Sequence, residues 1–172
     1  MSKQISWGIL GTGRIASAFA LALNSVDDAS LLAVGSREHD RAGRFAQQFN
    51  IPKAYSSYAE LTQDEDIDVT YVATPHAMHK DNVIMCLQAN KAVLCEKPFT
   101  IKASEAAAVI ELARSKQLFL MEAMWTRYIP SIAKLRTLLA ENTIGEVQLM
   151  LAGGALMPSL IYLTKSLAEA CY

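Results

Sequence analysis

Charge excess, paired cysteines and an unbroken apolar run of membrane length are what this 172-residue chain lacks. Lys and Arg number 16 against 17 Asp and Glu, for a net charge of -1. That balance removes the electrostatic footprint of a nucleic-acid partner or a polybasic membrane surface. Three cysteines, Cys86, Cys95 and Cys171, follow no metal-ligand spacing. An odd count in apolar surroundings reads as reduced thiols in a cytoplasmic protein, with no metal site. No long apolar stretch follows Met1-Ser-Lys-Gln4, so no secretory leader is expected. Val147 to Thr164 is uncharged over 18 residues, the lower limit for a spanning helix. Gly153-Gly154 and Pro158 break its helical continuity, and it reads as soluble structure. There is no internal repeat. What is present is 52% hydrophobic and 19% charged, an ordinary globular composition sized for one domain, or one plus part of another.

Apolar strands alternate with helical stretches. Strands are expected at Ile5–Leu10, Leu31–Gly35, Val69–Ala73, Ala92–Cys95 and Phe119–Met121. Helical faces are expected at Arg14–Asn24, Arg41–Phe49, from His79 to Leu87, Ala103–Lys116 and Pro130–Glu141. Ser57-x-x-Glu60 fits a capping box ahead of Leu61. This order calls for βαβ units and a doubly wound parallel sheet of the α/β class. The pattern weakens after Asn142. Gly145–Met150 reads as a lone strand without hydrogen-bonding neighbours, marginal in water. Its apolar continuation, Leu149 to Leu163, needs cover from the first domain, from another copy of the chain in a homo-oligomer, or from aggregation. The boundary is expected near residue 123, giving 1–123 and 124–172.

After the first strand, Gly11, Gly13 and Ala16 match G-x-G-x-x-[G/A]. The first glycine permits a tight turn, the second a close approach to pyrophosphate, and the alanine close helix–strand packing. The strand before, the amphipathic helix after and a second strand about 20 residues on give the motif its context. Gly11, Thr12, Gly13, Arg14 and Ile15 then cradle the pyrophosphate at a helix N-terminus. The second strand ends in Gly35-Ser36-Arg37, with no acid before Glu38. Ser36 and Arg37 suit a 2′-phosphate, so NADP is favoured over NAD.

Thr74 and Pro75 follow the third clear strand, at the carboxyl edge where such sheets bind ligands. They are expected beside the nicotinamide, with His76 and His79 as neighbours of the site. Cys95-Glu96-Lys97-Pro98 ends the next strand. A lysine there faces the same crevice, and desolvation beside a cofactor favours the neutral amine needed for proton transfer. Glu96 is positioned to hold it. Met121-Glu-Ala-Met-Trp125-Thr-Arg127-Tyr128 offers flat apolar walls and a guanidinium fork for a polar ligand. Read blandly, these are a surface Glu-Lys pair and packing between two domains.

Gly11-Thr-Gly13-Arg-Ile-Ala16, Ala73-Thr-Pro75, Glu96-Lys97-Pro98 and the Met121–Arg127 segment together resemble the glucose–fructose oxidoreductase / inositol dehydrogenase family (Gfo/Idh/MocA). The last motif is most similar to its trans-1,2-dihydrobenzene-1,2-diol dehydrogenase branch. The resemblance covers about residues 3 to 150. It implies a Rossmann domain binding NAD(P), oxidoreductase activity on a sugar, polyol or diol, Lys97 as the catalytic lysine, and Trp125 and Arg127 as substrate-pocket residues. It also implies an α+β second domain. Gly145 to Met150 resembles that domain's first strand, and Leu151 to Tyr162 a later motif, Gly-Gly-Ala-Leu-x-Asp-x-Gly-x-Tyr. Pro158 stands at the Asp and Leu160 at the Gly, while Tyr162 keeps the position of the catalytic His or Tyr. The expectation is a shortened member carrying a truncated remnant of the second domain. A nucleotide-binding module without turnover is the alternative.

Overall fold

From Ile5 to Ala123 the chain alternates strand and helix. The computed structural model describes residues 4–154 and 157–164, with side chains over 4–149 except His39. The strands are β1 (Ile5–Leu10), β2 (Ala29–Gly35), β3 (Lys53–Tyr55), β4 (Val69–Val72), β5 (Ala92–Glu96) and β6 (Leu120–Ala123). They form one sheet in the order β3-β2-β1-β4-β5-β6, with every neighbouring pair parallel. Between them run α1 (Arg14–Leu23), α2 (His39–Phe49), α3 (Tyr58–Gln63), α4 (His79–Gln88) and α5 (Ala103–Ser115). This is the doubly wound arrangement, with its order reversing between β1 and β4.

Alternation along the strands sends side chains to two separate cores. Leu10, Ala33, Val72, Val93 and Cys95 pack with Leu61 of α3, Val83 and Leu87 of α4 and Val109 of α5. Ile9, Val34, Tyr71 and Ala73 pack on the opposite side with Ala16 and Ala20 of α1 and Phe45 of α2. Strands buried on both faces read as continuous apolar runs, which is why β1, β2 and β4 were legible.

Local signals set the helix ends. Ser57 caps α3, its hydroxyl accepting from the Glu60 N–H at 3.1 Å. Glu60 reaches back to the N–H of Ser56 rather than Ser57, so the expected box is displaced by one residue at its return bond. Asn50 ends α2 in the left-handed conformation (φ 54°), its N–H bonding to Ala46 O. The three-residue β3 was not expected. Its pattern, Lys-Ala-Tyr, is too short to carry a period, and only pairing with Ala33–Gly35 makes it a strand.

Contacts divide the chain into Met1–Met124 and Trp125–Tyr172. Within the second unit a 3₁₀ turn (Trp125–Tyr128) precedes α6 (Pro130–Ala140), which has Pro130 in its first turn. Two strands follow, β7 (Leu149–Gly154) and β8 (Met157–Thr164), paired antiparallel with Leu151 opposite Tyr162. The expected lone strand at Gly145–Met150 is therefore corrected in position and in pairing. Gly145 has φ +71° and donates its N–H to Asn142 O, so it belongs to the turn after α6. β7 begins later and has β8 as its neighbour. Among the described residues no helix is long and apolar enough to cross a membrane.

Candidate cofactor and catalytic site

Three strand ends meet at Gly11. Its N–H bonds to Gly35 O at 2.9 Å, tying β1 to β2, while Ala73 N–H bonds to Leu10 O at 2.9 Å, tying β4 to β1. Gly11 has φ +109°, and a β-carbon there would lie 2.7 Å from Ala73 O. Only glycine fits. Gly13 sits at the N-cap of α1 with an extended backbone, no side-chain cap and nothing within 4 Å of a would-be β-carbon. Ala16, one turn on, is fully buried. Space over Gly13, an uncapped helix start and close packing at Ala16 are what a pyrophosphate cradle requires. Thr12 lies within this turn, and Arg14 and Ile15 are exposed in the first turn of α1.

At the end of β2, Ser36 is buried. Its N–H bonds to Tyr55 O and its hydroxyl accepts from the Glu38 N–H at 3.3 Å. Arg37 is exposed, with its guanidinium near the Tyr58 phenol. Burial pushes the Tyr58 phenol up, and the Arg37 guanidinium pulls it part of the way back. Arg41 pairs with Glu38 at 3.0 Å on the surface.

Beyond β4, Thr74 is buried and accepts from Asn82 Nδ2 at 2.9 Å. Pro75 is exposed, and His76 opens a 3₁₀ turn with its Nε2 buried and unpaired. His79 is 1% exposed, with Nδ1 2.9 Å from Pro98 O and Nε2 3.0 Å from Thr74 O. Both ring nitrogens are engaged by carbonyls, so His79 bridges the loops after β4 and β5 and leaves no ring nitrogen for a ligand. Glu96 ends β5 and is buried. Its Oε2 accepts the Lys97 N–H at 3.0 Å and its Oε1 the Tyr71 hydroxyl at 2.6 Å. It thus holds Lys97 by the backbone. Lys97 is exposed at the carboxyl end of β5, in the same edge of the sheet as Gly11 and Thr74.

Trp125 and Arg127 are exposed on the 3₁₀ turn of the second unit. Tyr162 lies in β8, and its side chain falls outside the described residues, as does Cys171. Cys86 and Cys95 are free, buried thiols. Tyr71, Tyr58 and Asn82 were missed by sequence reasoning. Each sits in a strand or helix pattern as an ordinary core residue, and only the fold reveals its polar partner.

The sequence pattern of the oxidoreductase family with an NAD-binding Rossmann fold (Gfo/Idh/MocA) matches residues 5–124. The chain belongs to this family. Among relatives of this Gfo/Idh/MocA chain, trans-1,2-dihydrobenzene-1,2-diol dehydrogenase of Mus musculus is 46% identical over 146 residues, 84% of this chain and 44% of the mouse protein. The enzyme of the same name from Homo sapiens is 44% identical, over 84% of this chain and 44% of the human protein. The chain therefore spans less than half the length of these relatives. Among solved structures, a 3-ketoreductase from Actinomadura kijaniata in complex with NADP superposes with a TM-score of 0.79 at 31% identity, over 85% of this chain and 47% of that one. Scyllo-inositol dehydrogenase from Lactobacillus casei, at 20% identity and a TM-score of 0.79, shares the fold.

Proposed function

We propose that this chain is the cofactor-binding part of an NADP(H)-dependent oxidoreductase that moves a hydride between the nicotinamide and a sugar, polyol or diol carbon. The observation that carries the reading is the pair of glycines at the sheet's switch point. Gly11 is forced by its neighbours, whereas Gly13 is left with open space above an uncapped helix. A turn built only for packing has no need of that space. Gly11 through Ile15 would hold the pyrophosphate. Ser36 and Arg37 would take the 2′-phosphate, the Arg37 fork steadied by Tyr58. Thr74, Pro75, His76 and Glu96 would border the nicotinamide. His79 would contribute by bridging the Thr74 and Pro98 loops.

Hydride exchange is the chemistry a nicotinamide supplies when bound. The chain's residues bind, orient and move a proton. Lys97 would take the alcohol proton on Nζ during oxidation and return it during reduction. Tyr162 would assist, and Trp125 and Arg127 would line the pocket. In this reading residues 124–172 belong to the substrate and oligomerisation domain, and the protein is cytoplasmic and a homo-oligomer.

A second reading, nucleotide binding without turnover, draws support from Pro158 and Leu160, which replace the Asp and Gly of the family's later motif. Titration with NADPH and NADH by nicotinamide fluorescence, followed by a diol and sugar panel, separates the two. Binding with turnover supports the oxidoreductase, binding alone supports the module, and no binding overturns both.

A further inference from the structure

We propose that Tyr71, acting through Glu96, is the positioning residue for Lys97. Tyr71 lies in the middle of β4 and is 1% exposed. A phenol buried this deeply needs a partner for its hydroxyl. That partner is Glu96 Oε1, at 2.6 Å, a short charge-assisted bond. Glu96 is itself buried, and a buried carboxylate must have its oxygens satisfied. Its second oxygen takes the Lys97 N–H at 3.0 Å. One carboxylate thus joins the core of β4 to the backbone from which Lys97 leaves the sheet.

The pairing of β4 with β5 brings the two groups together, with Val72 opposite Cys95. The tyrosine ring is fixed from the other side. Phe19 of α1 stacks on it at 3.9 Å between ring centroids and 22° between planes. A phenylalanine would fill the same slot and bury the same ring. The hydroxyl is therefore surplus to packing, and it donates to the acid beside Lys97. Burial, and then the bond to Glu96, push this phenol far above the ordinary tyrosine range. It stays a donor wherever the chain is folded. With one oxygen anchored by Tyr71, rotation of the carboxylate is restrained and the other oxygen stays on the Lys97 N–H.

The importance of this bracket for catalysis rests on Lys97 being the proton-transfer residue, but the bracket itself is tested without turnover. Amide hydrogen exchange is followed by NMR on the full chain, comparing wild type, Tyr71→Phe, Glu96→Ala and the double variant. Tyr71→Phe is expected to speed exchange of the Lys97 amide tenfold or more while the amides of Ile9 and Val34 keep their protection. Glu96→Ala is expected to do the same, and the double variant to add nothing. A folded Tyr71→Phe with unchanged Lys97 exchange overturns the proposal. So does a double variant whose effects add, since the route then does not run through Glu96. If Tyr71→Phe does not fold, Glu96→Ala decides, and unchanged exchange at Lys97 there overturns it equally. Where the wild type turns over, Tyr71→Phe is further expected to lower kcat with the NADP Kd unchanged. Absence of turnover in the wild type counts against the reading of Lys97 and leaves the exchange result standing.

Discussion

The carbonyl oxygen of Ala73 occupies the place that any side chain at Gly11 would need, 2.7 Å from a β-carbon built there. Two residues on, a β-carbon at Gly13 would meet nothing within 4 Å. One glycine is demanded by its neighbours, while the other stands under open space.

Substitution separates these two demands. Gly11→Ala is expected to lower folding stability by at least about 1–3 kcal/mol, from its positive φ together with the clash. Gly13→Val is expected to cost no more than about 1 kcal/mol, the loss of a favourable N-cap residue, and to abolish nicotinamide-fluorescence binding. A Gly13→Val variant that binds NADPH normally would remove the pyrophosphate from this turn.

In the proposed reading, cofactor choice turns on Arg37. Arg37→Ala is expected to weaken NADP binding by about 1.5–3 kcal/mol, the range for hydrogen bonds to charged groups, and to leave NAD binding nearly unchanged. Calorimetric titration with both cofactors checks this. Equal losses would assign Arg37 to the surface and to Tyr58 alone.

In the proposed reading, proton transfer turns on Lys97. In a chain that oxidises a diol, Lys97→Met is expected to lower kcat by roughly 10²–10⁴ with little change in cofactor affinity. Steady-state kinetics alongside fluorescence titration makes the comparison, and an undiminished rate makes Lys97 a surface residue.

The buried thiols give the fold a base-sensitive edge. Burial pushes Cys86 and Cys95 up to about 12. Unfolded, a thiol ionises near 8.5. Between these values the folded chain keeps protons that the unfolded chain releases, so stability is complete below about pH 8.5 and falls as pH rises. The slope approaches roughly 1.4 kcal/mol per pH unit for each thiol. Urea midpoints at pH 8, 9 and 10 should decline, and the decline should be shallower in Cys86→Ala/Cys95→Ala.

Much of this was legible because parallel strands, buried on both faces, are written as apolar runs ending at glycine or polar turns. Ile5–Leu10 was read to the residue, and Val69–Ala73 and Ala92–Cys95 to within one. The glycine turn was legible because its chemistry is local. Partnerships across strands were not. Tyr71 looks like one more apolar strand residue until β4 and β5 are paired, and His79 looks like the first residue of a helix face until Thr74 and Pro98 close on its two nitrogens. The second unit misled for a related reason. Gly145 reads as a strand start in sequence, and only its left-handed backbone places it in a turn.

The central strand also sets an order of events during synthesis. Trp7 pairs with Leu31 on one side and with Val69 on the other. A chain leaving the ribosome can join β1 to β2 once Gly35 has emerged, yet the second edge of β1 has no neighbour until β4 emerges, roughly 35 residues later. At about 5–20 residues per second that leaves a row of backbone N–H and C=O groups unpaired for seconds. Slowing translation between Gly35 and Val69 would lengthen this interval, and the nascent chain would be most open to chaperones, or to misassociation, while β1 still waits for its second neighbour.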